Sequence, residues 1–213
     1  MSDAKLKSRI KRIFKDEMES KGFVLNKPRI PERFLQGLRQ GIEFQPGTGH
    51  LAGKYTLNVF WSFTHALDEG TSMHGTSRIG ALTGSVDTWF SRQDENLESD
   101  FSAVSEIIKT VALPYLEKYN SIESILAGVK SGLLDTSHAL GVDAGWREFN
   151  LGYCFASVGN RKEAVKHYSA VIDMHSNHIV EWVQNRKQAA ISEICVYAPN
   201  KRFKPFASLT GTG

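Results

Sequence analysis

Catalytic signatures are missing from this chain. It has no G-x-S-x-G nucleophile elbow, no P-loop, no G-x-G-x-x-G after a strand and no C-x-x-C pair. The common frames for acyl transfer, nucleotide binding and dithiol chemistry therefore have no foothold. Cysteine is nearly absent: Cys154 and Cys195 are the only two. They lie far apart, each in a helical, half-apolar setting, which predicts buried thiols in a reducing compartment rather than a disulfide or metal pair. A strong excess of one charge is absent too. A formal net charge of +3 excludes a molecule-wide grip on nucleic acid, so such a role needs a local patch. No window approaches the roughly 18 apolar residues that span a bilayer. The start, MSDAKLKSRIKRIF, has positive charge without the apolar run of a signal peptide. A cytoplasmic protein with no membrane partner and no cofactor is expected.

Core-forming material is present. Hydrophobic residues make up 41% and charged residues 23% of 213 positions, enough to fill one large domain or two modest ones. Residues 3–21 predict a helix, with Leu6, Ile10, Ile13, Phe14 and Met18 on one stripe, basic residues around it and Gly22 at the C-cap. From Phe23 to Phe63 the texture turns strand-like. The short runs are Phe23 to Leu25, Arg33 to Leu38, Gly41 to Gln45 and Tyr55 to Phe63, cut by Pro28, Pro31, Gly37 and the Pro46–Gly49 turn. Alternation puts Tyr55, Leu57, Val59 and Trp61 on one face of a half-buried antiparallel strand. Ser77 to Leu82 predicts one more strand, and residues 97–119 a long helix with a kink or break near Leu113, because Pro114 lies inside it. Ser121 stands as an N-cap to a helix ending near Gly128 or Gly132. Residues 144–158, 161–174 and 177–196 predict three further helices.

The block SRIGALTGSVDTWFSRQDENLESDFSAVSEIIKTVALPYLEKY, Ser77 to Tyr119, is the most distinctive part of the chain. Its R-I-G-x-L, D-x-W-F and A-L-P-Y-L-E-K-Y elements resemble an uncharacterised bacterial family, domain of unknown function forty-three-oh-four, over about residues 5–127. Arg78, Ile79, Gly80, Leu82, Asp87, Trp89, Phe90, Leu113, Pro114 and Leu116 carry the likeness. The resemblance implies an α+β fold and no particular activity. The segment FNLGYCFASVGNRKEAVKHYSAVIDMHSN resembles a single tetratricopeptide repeat, with Gly152 and Ala164 letting two helices approach and Phe155 and Tyr168 filling the space. A lone repeat cannot bury its own face, so this hairpin is expected to dock on neighbouring helices.

Several residues are candidates for function. Arg78, Asp87 and Trp89 suit an anion or peptide, and equally suit a structural pair capped by the indole. Trp182 is a candidate partner anchor, since tryptophan is enriched at interface hot spots, with core packing as the plainer reading. The tail carries a basic-aromatic cluster of Lys201, Arg202, Phe203, Lys204 and Phe206, suited to a partner or to packing back on the core. The loop THALDEGTSMHGT holds His65, Asp68, Glu69 and His74, which are metal-compatible types at no established ligand spacing, so a solvated loop is expected. The basic face of the first helix is interrupted by Asp16, Glu17 and Glu19 and lacks interleaved aromatics, so a nucleic-acid partner is not expected.

The expectation is therefore an α+β protein: an N-terminal helix, a mostly antiparallel sheet of four or five strands covered by a long helix, then an all-helical C-terminal subdomain. The divisions are 1–128, 129–200 and a tail, 201–213. The function expected by elimination is non-enzymatic binding of another protein, most concretely an immunity or antitoxin role against a toxin or effector. The alternatives are a metal-assisted hydrolase using His65, Asp68 and His74, and a nucleic-acid binder.

Overall fold

The apolar stripe of the first residues folds as α1 (Asp3–Ile13), runs on through a wider five-residue turn, Phe14–Met18, and stops at Gly22, whose left-handed φ of 80° favours glycine. Leu6, Ile10, Ile13 and Met18 are all buried, as their spacing predicts. The computed structural model of the chain describes residues 3–65, 74–85, 87–92 and 97–198.

An antiparallel sheet follows, built from β1 (Val24–Lys27), β2 (Ile30–Leu35), β3 (Leu38–Pro46), β4 (Lys54–Phe63), β5 (His74–Arg78) and the short β6 (Phe90–Ser91). The strands lie in sequence order from β1 to β5, and β6 pairs with the start of β4. The run Arg33 to Leu38, expected as one segment, is instead a hairpin corner: Leu35 pairs with Leu38 across a two-residue turn in which Gly37 takes a φ of 79°. The strand expected at Ser77 to Leu82 also differs. β5 ends at Arg78 and the chain turns into a one-turn helix, α2 (Ile79–Leu82), closed by Thr83 and Ser85 N–H groups that donate to the Ile79 and Gly80 carbonyls. Nor is β4 half-buried. It sits inside the sheet, and every residue from Tyr55 to Phe63 is buried, the polar Thr56, Asn58 and Ser62 included.

The long helix comprises α3 (Leu97–Ile107), a wide turn Ile108–Ala112, and α4 (Leu113–Lys118). Proline has no N–H to give the preceding turn, and the widened turn just before Leu113 absorbs the fault without breaking the helix. This helix and α1 cover one sheet face: Leu6, Ile10, Phe101, Val104, Ile108 and Leu116 meet Ile42, Phe44, Tyr55, Leu57 and Val59 in one apolar core.

A buried amide fixes the two layers. Gln40 Oε1 accepts from Arg33 Nε at 3.0 Å and Nη2 at 2.8 Å, while Gln40 Nε2 donates to the Leu116 and Tyr119 carbonyls at 3.0 and 2.7 Å. Those carbonyls belong to the end of α4, where the helix offers them no donor of its own. Arg33 in turn donates to Glu117 at 2.6 Å and lies over the Phe23 ring.

After α4, Ser121 caps α5 (Ile122–Lys130) with a reciprocal Ser121–Ser124 box, and α6 (Thr136–Leu140) follows. The chain divides into two compact units, Met1–Gly141 and Val142–Gly213. Residues 129–141 thus belong with the sheet rather than with the helical subdomain. Ala139 and Leu140 are fully buried, and the Ala139 carbonyl accepts from the Trp61 indole at 3.2 Å. The second unit holds α7 (Ala144–Ser157), α8 (Arg161–Met174) and α9 (Glu181–Tyr197). Gly152 abuts the Tyr168 ring, where an added Cβ would lie 2.7 Å from ring carbons, and Ala164 and Tyr168 are buried between the helices. Of the two thiols Cys154 is buried and burial pushes its pKa up, but Cys195 is exposed because it falls on the outer side of α9.

Replacing Gln40 with Leu is expected to cost the first unit about 3 kcal/mol, because it removes the acceptor of two N–H groups of a buried arginine and the donor of two helix-end carbonyls. Urea unfolding of Gln40→Leu checks this; a loss below about 0.5 kcal/mol contradicts it.

Candidate functional site on the outer sheet face

Strand register decides which side chains share the face turned away from the apolar core. Glu43 stands opposite Asn58, and Asn58 opposite Arg78, so these three form a row across β3, β4 and β5. Asn58 Nδ2 donates to Glu43 Oε2 at 2.8 Å and to Gln45 Oε1 at 2.9 Å. A second row begins at Glu32 and Arg39, whose carboxylate and Nε pair at 2.6 Å with both side chains buried. The Arg39 guanidinium rests over Phe60, whose ring fills the space that Gly41 leaves open. Sequence reasoning missed Glu32, Arg39, Glu43, Gln45 and Asn58. Their only signal was a polar residue at alternate positions of an apolar strand, which on its own denotes a solvated side.

Arg78, Asp87 and Trp89, singled out from the sequence, come together here. Arg78 Nη1 forms an ion pair with the Asp87 carboxylate, and the guanidinium lies over the Trp89 indole, 5.6 Å from the ring centroid. The segment carrying Asp87 and Trp89 is held by the sheet and by α3. Thr56 Oγ1 donates to the Thr88 carbonyl at 2.8 Å, Tyr55 pairs with Phe90, and the Ser91 N–H donates to Asp100 at 2.6 Å. The Arg78 and Asp87 side chains remain 41% and 48% exposed. The corner is thus half-open to solvent on a rigid base, with an arginine fork, a carboxylate and an indole edge available to a partner.

The other candidates lie elsewhere. Trp182 belongs to the second unit, 52% exposed and stacked over Arg186. Arg202 and Phe203, like Asp68 and Glu69, lie outside the described residues. His65 and His74 each face the Phe63 ring, at centroid distances of 6.0 and 5.6 Å. Among the described residues no group of three or more His, Cys, Asp or Glu is placed to hold a metal ion. Burial pushes the His74 imidazole down to about 4.

One serine–histidine contact, unforeseen from the sequence, links Ser77 Oγ and His138 Nε2 at 3.1 Å. It lacks the orienting carboxylate of a catalytic triad, since Asp135 Oδ1 accepts from the His138 backbone N–H and the Ser137 hydroxyl instead. The contact ties α6 to β5. No helix among the described residues is long and apolar enough to cross a membrane. Comparison with family models, curated proteins and solved structures finds no match to this chain.

Because the Arg78–Asp87 pair is solvent-facing, Arg78→Ala and Asp87→Ala are expected to change stability by no more than about 1 kcal/mol each. Thermal unfolding checks this, and a larger loss contradicts the description of the pair as surface chemistry. His74 gives the first unit a defined acid sensitivity. Its folded pKa lies below the unfolded value of 6.5, so the stabilisation is complete above pH 6.5 and is lost as pH falls toward about 4, a total of about 3 kcal/mol. Unfolding curves across that range should show the slope, and His74→Phe should flatten it.

Proposed function

We propose that this protein acts without chemistry of its own, by binding another protein through the outer sheet face around Arg78, Asp87 and Trp89. One observation supports this reading above the others: Arg78, Asp87 and Trp89 converge on a braced, half-exposed corner that joins an arginine to an indole. Arginine and tryptophan are the side chains most enriched where interfaces draw their energy, and a rigid base lowers the ordering cost of binding. The reading extends to kinship between the first unit and the uncharacterised bacterial family it resembles, to residence in the cytoplasm, and to an immunity or antitoxin role that holds a toxin or effector inactive. The balanced charges of the face, with Glu43 and Asp87 beside Arg78, suit a partner of mixed polar surface rather than a nucleic-acid backbone.

The test is capture of the partner from the native host. The unaltered chain is expected to retain one protein at stoichiometric yield, and Trp89→Ala and Arg78→Ala to retain at least about tenfold less while their folds persist. Equal retention by the variants, or no bound protein, overturns the reading.

A further inference from the structure

In the second unit a histidine is buried among cations. His175 follows the last residue of α8 and is only 8% exposed, and neither ring nitrogen has a hydrogen-bond partner. Its ring lies against the first turn of α7, so close that a Cβ on Gly145 would fall 2.3 Å from Nε2. The groups facing it come from three elements. From α9 come Arg186 and Lys187, both buried, with Lys187 Nζ 3.4 Å from the Ser176 carbonyl. His178, after α8, meets the ring edge-on at 5.5 Å. From the start of α7 comes the carboxylate of Asp143, whose Oδ1 already accepts from the Trp146 N–H at 2.8 Å and from Arg186 Nη1 at 2.7 Å. Arg186 is further held between the Trp146 and Trp182 rings, 4.1 and 4.9 Å from their centroids.

We propose that His175 is an acid-operated latch: a proton taken up there loosens the junction of α7 with α9 and frees the Trp146–Arg186–Trp182 stack. With the imidazole neutral, Asp143 serves Arg186 and caps α7. A charged imidazole sets a third cation beside Arg186 and Lys187, aims it at the positive end of α7, and competes with Arg186 for Asp143. The end of α8 favours the charged ring, but the ring atoms touch the start of α7, where the helix field has the opposite sign. Burial first, then Arg186, hold the imidazole below its ordinary 6.5, with Asp143 opposing. The latch is therefore closed above pH 6.5, where even the unfolded chain leaves the ring neutral, and it opens as pH falls.

Two measurements on the full chain test this: the NMR titration of His175, and hydrogen exchange of the α7 amides, corrected for intrinsic rates, from pH 7.5 to 5. His175 should titrate below the free-histidine value, and α7 opening should grow by up to about tenfold per pH unit below about 6.5. His175→Phe should abolish that growth, and Lys187→Met should raise the titration point. Titration of His175 at or above the free value overturns the latch, as does a pH dependence at α7 that survives in His175→Phe. Should His175→Phe not fold, the Lys187→Met shift decides, and its absence overturns the proposal.

Discussion

The buried amide of Gln40 is the contact on which the first unit depends. It sits where apolar packing alone leaves a problem: α4 ends against the sheet, and its last carbonyls are shut away from water. One side chain solves this by giving both amide protons to Leu116 and Tyr119 and taking two from Arg33. All its hydrogen-bonding capacity, two donors and two lone pairs, is used, the condition under which a buried polar group adds specificity instead of cost. Apolar packing is non-directional, whereas the four hydrogen bonds of the amide require the end of α4 to lie beside Gln40.

The opposite face carries different chemistry. That outer face has few apolar side chains and many paired polar ones: Glu32 with Arg39, Asn58 with Glu43 and Gln45, Arg78 with Asp87. The pairs differ in depth. Glu32 and Arg39 are sealed off, and a broken buried pair leaves an uncompensated charge. Arg78 and Asp87 are half-open, and a partner carrying its own carboxylate or amide can exchange places with either. Depth therefore separates the part of the face that holds the fold from the part open to a partner.

The sequence was readable where a local rule sufficed. The stripe of α1, the Ser121 cap and the apolar side of α3 follow from spacing within a few residues, while the Gly152–Tyr168 contact was legible through the resemblance to a tetratricopeptide hairpin. The Arg78–Asp87–Trp89 grouping was also legible, because the three lie close in sequence and the chain that leaves β5 at Arg78 is back on the sheet, beside β4, at Phe90. Distant partners were not. Gln40 has the look of a solvent position until Leu116 and Tyr119 arrive from far along the chain. Arg186 and Lys187 look like surface charges on a weakly amphipathic helix, yet both are buried by neighbours from α7 and the α8–α9 connection. The turn after Arg78 escaped notice because Ile79 and Leu82 favour strand or helix alike, and hydroxyl bonds from Thr83 and Ser85 to the Gly80 carbonyl settle the matter.

The most direct measurement is hydrogen exchange on the chain in complex with the protein partner that the proposed binding requires. The account predicts new protection concentrated in β5 and residues 83–91, with the core strands unchanged. Protection confined to the second unit, with the Arg78–Trp89 corner exchanging as in the free chain, would contradict it.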